Sequence, residues 1–526
     1  MARHDLNGDV LGSTEQDVAI MGQMGKTQQL RRIFSFLPTL ALSVTLLASW
    51  ESVAEAFAAG LTNGGPVSLV YGMILSFSGT LALAASLAEM ASLCPIAGAQ
   101  YHWTYMFAPP RFAAFITWMQ GWITVFAWQA TATSVVYLTA TQIQGLIILN
   151  HASYIPQRWH GTLLMWAVVA VLFSVNVWAV RLLPLLEMVG GACHVVFFII
   201  LLVTLVTLAP HSSAEFVFTD FVNGGGWSSD GVSWCIGLLT VVYCFVGFDG
   251  TLHLAEEIKD SARTVPRVII LTIVINGILA FAFLIALLFC IGDISEVLST
   301  ATGYPIIVIF EVATGSKAAA TAMECGLIII AFASGFALLA SVSRLTFAFA
   351  RDGGMPFSAF FAFVDTHYHV PIRSISLVSI VIVLLSLINI GSSIALNAIL
   401  SLSTLALYIS YLIPITLLVL KRLRREKVTF GPFSLGRFGF WINLYALVFG
   451  IFIVIFLPFP VATPVNATTM NYAGPVFLGL VLLALVDWVV RGRHYYAGPT
   501  REENAGLEQT DDEPDVATRD EHTKQG

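Results

Sequence analysis

Residues 36–60 read FLPTLALSVTLLASWESVAEAFAAG. A bilayer-spanning helix needs roughly 20 apolar residues, and this stretch is long enough to be one. Yet it carries Glu51 and Glu55, with Ala48-Ser49-Trp50 just ahead and Ser52 between. In hydrocarbon every backbone polar group must be paired and an intramembrane charge is costly. An acid inside such a span therefore marks a break in the helix that faces protein rather than lipid. A second stretch, Phe245-Val246-Gly247-Phe248-Asp249-Gly250, places glycines and an acid inside the apolar run 231–255.

Working outward, the composition fits that reading. The 526 residues are 57% hydrophobic and only 11% charged, against about 25% charged in soluble domains, and the mean hydropathy is +0.82. Apolar runs bounded by charge, Pro or Gly predict twelve spans. They cover 36–60, 66–92, 113–147, 159–180, 182–209, 231–255, 267–291, 317–349, 373–391, 394–420, 439–458 and 473–490. The expected fold class is an all-α polytopic membrane protein. The interrupted spans are the first and sixth, which are equivalent if spans 1–5 and 6–10 form two inverted repeats. Paired interruptions of that kind point to a substrate site near the midplane.

This divides the chain into a disordered cytoplasmic tail at 1–32, a ten-helix transport core at 33–420, peripheral helices at 421–496 and a disordered acidic tail at 497–526. Lys and Arg gather in alternate short loops, among them Lys26, Arg31, Arg32, Lys259, Arg263, Arg351 and the run from Lys421 to Arg437. The segment 210–230 has none. Both termini are therefore expected on the cytoplasmic side. The sequon at Asn466 falls in an outer loop.

Other classes are disfavoured. There is no basic face for nucleic acid. The six cysteines lack CxxC spacing, so neither a disulfide framework nor a metal site is expected. The polar first thirty residues do not resemble a cleaved signal peptide. No soluble catalytic domain is left over, and no cofactor loop or nucleophile–base pair is present, so an enzyme is not expected.

Three segments carry a resemblance. Ser86-Leu87-Ala88-Glu89-Met90-Ala91-Ser92 is followed by Pro95 and by Ala97-Gly98-Ala99-Gln100-Tyr101-His102-Trp103. His253-Leu254-Ala255-Glu256-Glu257 precedes Thr264-Val265-Pro266-Arg267. Ser343-Arg344 leads into Phe347-Ala348-Phe349-Ala350-Arg351-Asp352-Gly353-Gly354-Met355-Pro356. In this order they resemble the amino acid–polyamine–organocation (APC) permeases, most of all the fungal amino acid/choline transporter branch. Ala99 departs from the second glycine usual in that family. The resemblance implies a bacterial leucine-transporter-type core with two peripheral helices. It also implies secondary transport of a substrate such as GABA, choline or an amino acid, usually proton-driven.

The candidate substrate-binding set follows from the two interruptions: Ser49, Trp50, Glu51, Ser52, Phe245, Gly247, Phe248 and Asp249, with Gln129 from the third span. Half-helix starts offer N–H groups to a carboxylate, and half-helix ends offer carbonyls to an ammonium. Glu51 and Asp249 read as ammonium or proton acceptors, or as buried carboxyls held neutral by hydrogen bonding. Trp50, Phe245 and Phe248 read as a gate or cation–π surface, or as packing. Gln120 and Gln129 read as ligands or as interhelical bridges. Ser341 and Ser343 read as a sodium-type site or as hydroxyls bonded back to their helix.

His194, mid-span in the fifth helix, is the candidate proton carrier alongside Glu51, because a histidine titrates near physiological pH. Glu89, Glu256, Glu257, Arg267, Arg344 and Arg351 are expected near cytoplasmic ends as an inner charge network or topology anchors. The expected function is a proton-coupled permease in the plasma or vacuolar membrane, with substrate, protons and lipid as its partners. A non-transporting nutrient sensor on the same fold is the rival.

Overall fold

The computed structural model describes residues 11–292, 294–467 and 469–499. Most of the expected C-terminal tail, residues 1–10 and Thr468 of the sequon lie outside them, while Asn466 is exposed in a loop. The described residues are helical, with β-type pairing confined to the isolated bridges Phe34–Ile258 and Asn63–Asn223. Eleven helical segments among them are long and apolar enough to cross a membrane, so the chain is an integral multi-pass membrane protein.

In chain order the main helices are α1 (Glu15–Gln23), α2 (Phe36–Leu47), α3 (Ser49–Thr62), α4 (Gly65–Leu93), α5 (Gln100–Phe107), α6 (Ala113–Asn150), α7 (Arg158–Trp178) and α8 (Leu183–Leu208). Then follow α9 (Asp230–Tyr243), α10 (Ser261–Phe289), α11 (Pro305–Thr314), α12 (Lys317–Arg351), α13 (Ile372–Gly391), α14 (Ser393–Leu423), α15 (Gly439–Phe456) and α16 (Ala473–Asp487). The expected sixth span, 231–255, is not one continuous helix. Helix α9 stops at Tyr243, irregular backbone follows, and a 3-10 segment runs from Gly250 to Glu257. The stretch expected as a loop after span seven contains the short apolar helix α11.

The break in the first span is a single residue wide. Ala48 adopts the left-handed conformation, at φ 43°, which costs a non-glycine residue about 1–2 kcal/mol. Local bonds offset that cost. The N–H and the hydroxyl of Ser52 each donate to Ala48 O at 2.9 Å. From α10, the Asn276 side chain accepts from Ser49 N–H at 3.0 Å and donates to Val44 O at 3.3 Å. One buried amide thus serves both sides of the break, as the absence of water inside a membrane requires.

The second break turns on Gly247, at φ 94°, a conformation in which a Cβ would be strained. Helix α8 lies close to the first break for a related reason. A Cβ on Gly190 would come within 2.7 Å of Ala333 Cβ, and one on Gly191 within 2.9 Å of Ala41 Cβ. Small residues therefore let α8 approach both α2 and α12, as membrane helices use them to do.

Packing then sorts the helices into an inner set and a rim. Helices α12 and α14 pack on α6, α10 packs on α4, and α2 packs on α8. Helix α16 and the outer face of α8 expose apolar side chains, including Val195, Ile199, Val203, Leu482 and Leu483. These apolar faces suit a lipid surround.

The N-terminal segment departs from the expected tail. Residues 11–34 run under the helix bundle, and Asp17, Met21, Lys26, Leu30 and Arg32 are buried there. Thr14 and Asp17 form a reciprocal cap on α1. The Asp17 carboxylate also accepts from Asp260 N–H at 3.0 Å and Ser261 N–H at 3.2 Å, at the start of α10. Arg32 donates to the carbonyls of Ala255 and Ile258. A polar segment folds here because its charges meet partners supplied by distant parts of the chain.

Candidate substrate cavity

The two breaks face one cavity of ≈ 70 Å3, the space open to the centre of a water molecule. Leu47, Ala48, Glu51 and Ser52 line it from the first break, and Tyr243, Val246 and Gly247 from the second. Helix α6 contributes Thr131, Ser134, Val135, Leu138 and Thr139, the spacing of one helical face. Helix α12 contributes Leu327, Ile330, Ala331, Ser334 and Leu338 in the same manner, and α14 adds Ser403.

A second space of ≈ 380 Å3 adjoins the first, bounded by Asn63, Tyr137, Thr404 and Asn471 among others. Glu55, Ser134, Leu138 and Tyr243 line both spaces and so form the neck between them. Glu55 lies one turn along α3 from Glu51, on the same face. Gln142 of α6 donates to its Oε1.

Glu51 is 3% exposed. Its Oε1 meets His194 Nδ1 at 2.6 Å, while its Oε2 and His194 Nε2 have no hydrogen-bond partner among the described residues. A contact this short between a carboxylate oxygen and a ring nitrogen holds one proton between them. One wall of the cavity thus carries a hydrogen-bonded glutamate–histidine pair whose second carboxylate oxygen is uncommitted.

The remaining predicted residues divide. Ser52 and Gly247 line the cavity. Ser49 is buried beside it, held through its N–H by Asn276. Trp50 points away into an aromatic cluster, with ring centroids 5.8 Å from His194 and 5.1 Å from Phe283. Phe245 packs on Phe77 and Phe248 on Tyr411. Gln129 is buried and outside both linings. For the three aromatics the packing reading describes the geometry.

Asp249 also lies outside the cavity lining, and its carboxylate is saturated. It accepts from Gln100 Nε2 at 2.6 Å, Tyr411 OH at 2.5 Å and Trp128 Nε1 at 3.3 Å. His253 Nε2 is 3.5 Å away, and His253 Nδ1 donates to Ala97 O at 2.9 Å. This arrangement ties the second break to α5, α6 and α14. Ser341 bonds across to Gly250 O at 2.8 Å, whereas Ser343 bonds back to Ala340 O at 2.8 Å. Among the described residues, no group of three or more His, Cys, Asp or Glu is placed to hold a metal ion.

Toward the cytoplasmic end as the loop charges orient it, charges are paired. Arg344 Nε bonds Glu257 Oε1 at 2.6 Å. Arg351 grips Glu256 with two nitrogens at 2.7 and 2.8 Å. Asp352 accepts from Lys26, from Tyr101 OH at 2.8 Å and from His102 at 2.8 Å. Glu89 meets Arg422 and the N–H of Leu435 at 2.9 Å. Arg267 is exposed.

Sequence reasoning passed over several residues of this geometry. Glu324 of α12 is fully buried and neither carboxylate oxygen has a hydrogen-bond partner. The α6 face beginning at Thr131 was legible as small polar residues at helical spacing. Asn276 was legible as a lone amide in the apolar run of the seventh span.

Comparison with known proteins agrees with this architecture. The family model described as amino acid permease matches residues 34–483. The chain is 30% identical over 481 residues to a choline transporter of Saccharomyces cerevisiae, covering 91% of this chain and 85% of that protein. It is 31% identical over 496 residues to amino-acid permease BAT1 of Arabidopsis thaliana, covering 91% and 95%. It is 28% identical over 491 residues to amino-acid permease 2 of Neurospora crassa, covering 93% and 90%. The chain therefore belongs to the amino acid permease family of the APC superfamily, whose members are membrane permeases rather than enzymes.

Proposed function

We propose that this permease carries an amino acid or related amine, of the kind represented by GABA and choline, coupled to protons and by alternating access. The two breaks belong to inverted five-helix repeats of a twelve-span chain with both ends in the cytoplasm, and the plasma membrane is its site of action. The single observation that carries the reading is the Glu51–His194 pair, a proton site in the wall of the cavity on which both breaks converge. Substrate and proton share Glu51, so occupation by one changes the affinity for the other. Such a difference between states is what drives a coupled cycle.

The test is uptake of radiolabelled GABA, choline and neutral amino acids by permease-deficient yeast expressing the full chain, at several external pH values. Saturable uptake of at least one compound, rising as external pH falls and abolished by a protonophore, is the expected result. Absence of uptake for all compounds sinks the transport reading. Uptake indifferent to pH and protonophore sinks proton coupling alone.

A further inference from the structure

The charge balance of the cavity carries the reading one step further, resting on the substrate placement just proposed. Glu51 and Glu55 stand one turn apart on α3, both lining the inner space, with Cβ atoms about 5–6 Å apart on such a helix face. No lysine, arginine or histidine lines either the inner space or the outer one. Glu324 of α12 is a third acid, buried outside both linings, with neither oxygen hydrogen-bonded among the described residues. The Oε2 of Glu51, in a side chain almost wholly buried, has no hydrogen-bond partner among the described residues and belongs to a residue of the cavity wall.

Backbone dipoles reinforce the carboxylates. Helices α2 and α9 end at the cavity through Leu47 and Tyr243, and a helix C-terminus carries about half a negative charge. The opposing feature is the N-terminus of α3, where a substrate carboxylate would have to sit. There the N–H of Ser49 is taken by Asn276 and that of Ser52 by Ala48 O. The N–H groups of Trp50 and Glu51 open the turn that carries the Glu51 side chain, so a substrate carboxylate there would lie against another acid. The cavity therefore offers acids to an ammonium at two levels, Glu55 and Glu51, and no basic side chain to a carboxylate among its lining residues.

We infer that the transported solute is a net-cationic organic amine lacking a carboxylate, with its ammonium centre held by Glu55 at the neck and Glu51 below it. Glu55 is the specificity-determining residue of this assignment. A zwitterion must place its carboxylate among like charges in a water-poor cavity, and the site discriminates by that repulsion.

The experiment compares choline, 1,4-diaminobutane, GABA and L-alanine as labelled substrates for the full chain in permease-deficient yeast. It also measures thermal stabilisation of the purified wild-type protein by each compound. At least one of the two cations should show an uptake Vmax/KM about tenfold or more above both zwitterions, the factor expected of one charge-assisted contact. The same cation should raise the melting temperature at lower concentration than either zwitterion. Glu55→Gln should raise KM for that cation about tenfold or more at unchanged surface amount, and Glu55→Asp should recover part of the loss. Transport of GABA or alanine in preference to both cations overturns the inference while leaving the site in place. No uptake and no stabilisation by any of the four overturns the site reading and the inference together.

Discussion

The two ends of this permease treat buried charge in opposite ways. At the end that the loop charges orient toward the cytoplasm, Glu256, Glu257, Asp352 and Glu89 each meet a basic side chain. In the cavity wall Glu55 has one amide partner and Glu51 has one histidine, and Glu324, which lines neither space, has none among the described residues. Paired charges close a path, because each partner answers the other's desolvation. Unpaired acids in a cavity wall await a charge that arrives and leaves. Under the proposed function, the contrast separates the acids that brace the protein from those that handle cargo.

The largest test of that division removes a cation from the paired end. Arg344 is fully buried against Glu257, and Arg344→Met leaves that carboxylate charged and alone. Breaking a buried pair from one side costs about 3–5 kcal/mol. A steep loss of folded protein, measured by size-exclusion chromatography in detergent, is the expected outcome. Adding Glu257→Gln should restore much of it. If Arg344→Met is as stable as wild type, the division between structural and cargo-handling acids collapses.

Next comes Glu51→Gln, which should act on transport and not on folding. The amide keeps the shape of the side chain and loses both the proton site and the charge. Uptake should fall about 10- to 100-fold, the loss that follows from removing one hydrogen bond to a charged group. Surface amount should stay at the wild-type level. A variant that transports normally, or one that fails to reach the surface, would move Glu51 to the structural group. Asp249→Asn belongs with Arg344, because its carboxylate has three donors and no exposure. Its expected signature is lost folded yield rather than an altered KM.

The membrane class, the helix breaks and Glu51 were legible in the sequence because each rests on a local rule. Long apolar runs report spans, and an acid or a glycine pair inside one reports an interruption. What was hidden depended on which side of a helix faces which neighbour. Asp249 and Glu51 look alike in the sequence, an acid inside a break. Only the arrival of Gln100, Trp128 and Tyr411 from three other helices separates a saturated carboxylate from one that lines a cavity. The aromatic residues of the breaks failed in the same way, since Trp50 and Phe248 turn toward His194 and Tyr411. The N-terminal segment was misread because polarity without periodicity says nothing about partners supplied from 230 residues away.

A smaller effect is expected at His194, where the two regions can be told apart by pH. Asp352 lies just beyond the end of α12. Burial alone would raise its carboxyl, but His102, Lys26 and Arg351 hold it below the ordinary carboxylate range. A depressed carboxylate contributes its stability above the unfolded pKa, about 3.9, and loses it only as pH falls through the lower folded value. Between pH 5 and pH 8 Asp352 therefore stays ionised and supplies no slope. His194→Gln removes the imidazole from the cavity pair while leaving a hydrogen-bonding amide near Glu51. The pH dependence of uptake over that range should flatten while uptake at the optimum falls only several-fold. An unchanged pH profile removes His194 from the coupling step.

The smallest expected effect tests whether the N-terminal segment seals the paired end. Met24 Sδ lies 3.1 Å from Cys94 Sγ, and Cys94 is 3% exposed. The segment is held by Asp17, whose carboxylate caps α10 and approaches Arg32 at 3.4 Å. Asp17→Asn keeps the side-chain volume but weakens those contacts from charge-assisted to neutral, a change of about 1 kcal/mol. With Cys94 as the only cysteine, its rate of reaction with a membrane-permeant maleimide should rise a few-fold in Asp17→Asn, with folded yield unchanged. That rise should shrink when a substrate holds the carrier outward-facing, because the cytoplasmic end is then closed by Arg344 and Arg351 as well. A labelling rate that ignores both the substitution and the substrate would show that α1 decorates the closed end without taking part in closing it, and the seal would then rest on the arginine–glutamate pairs alone.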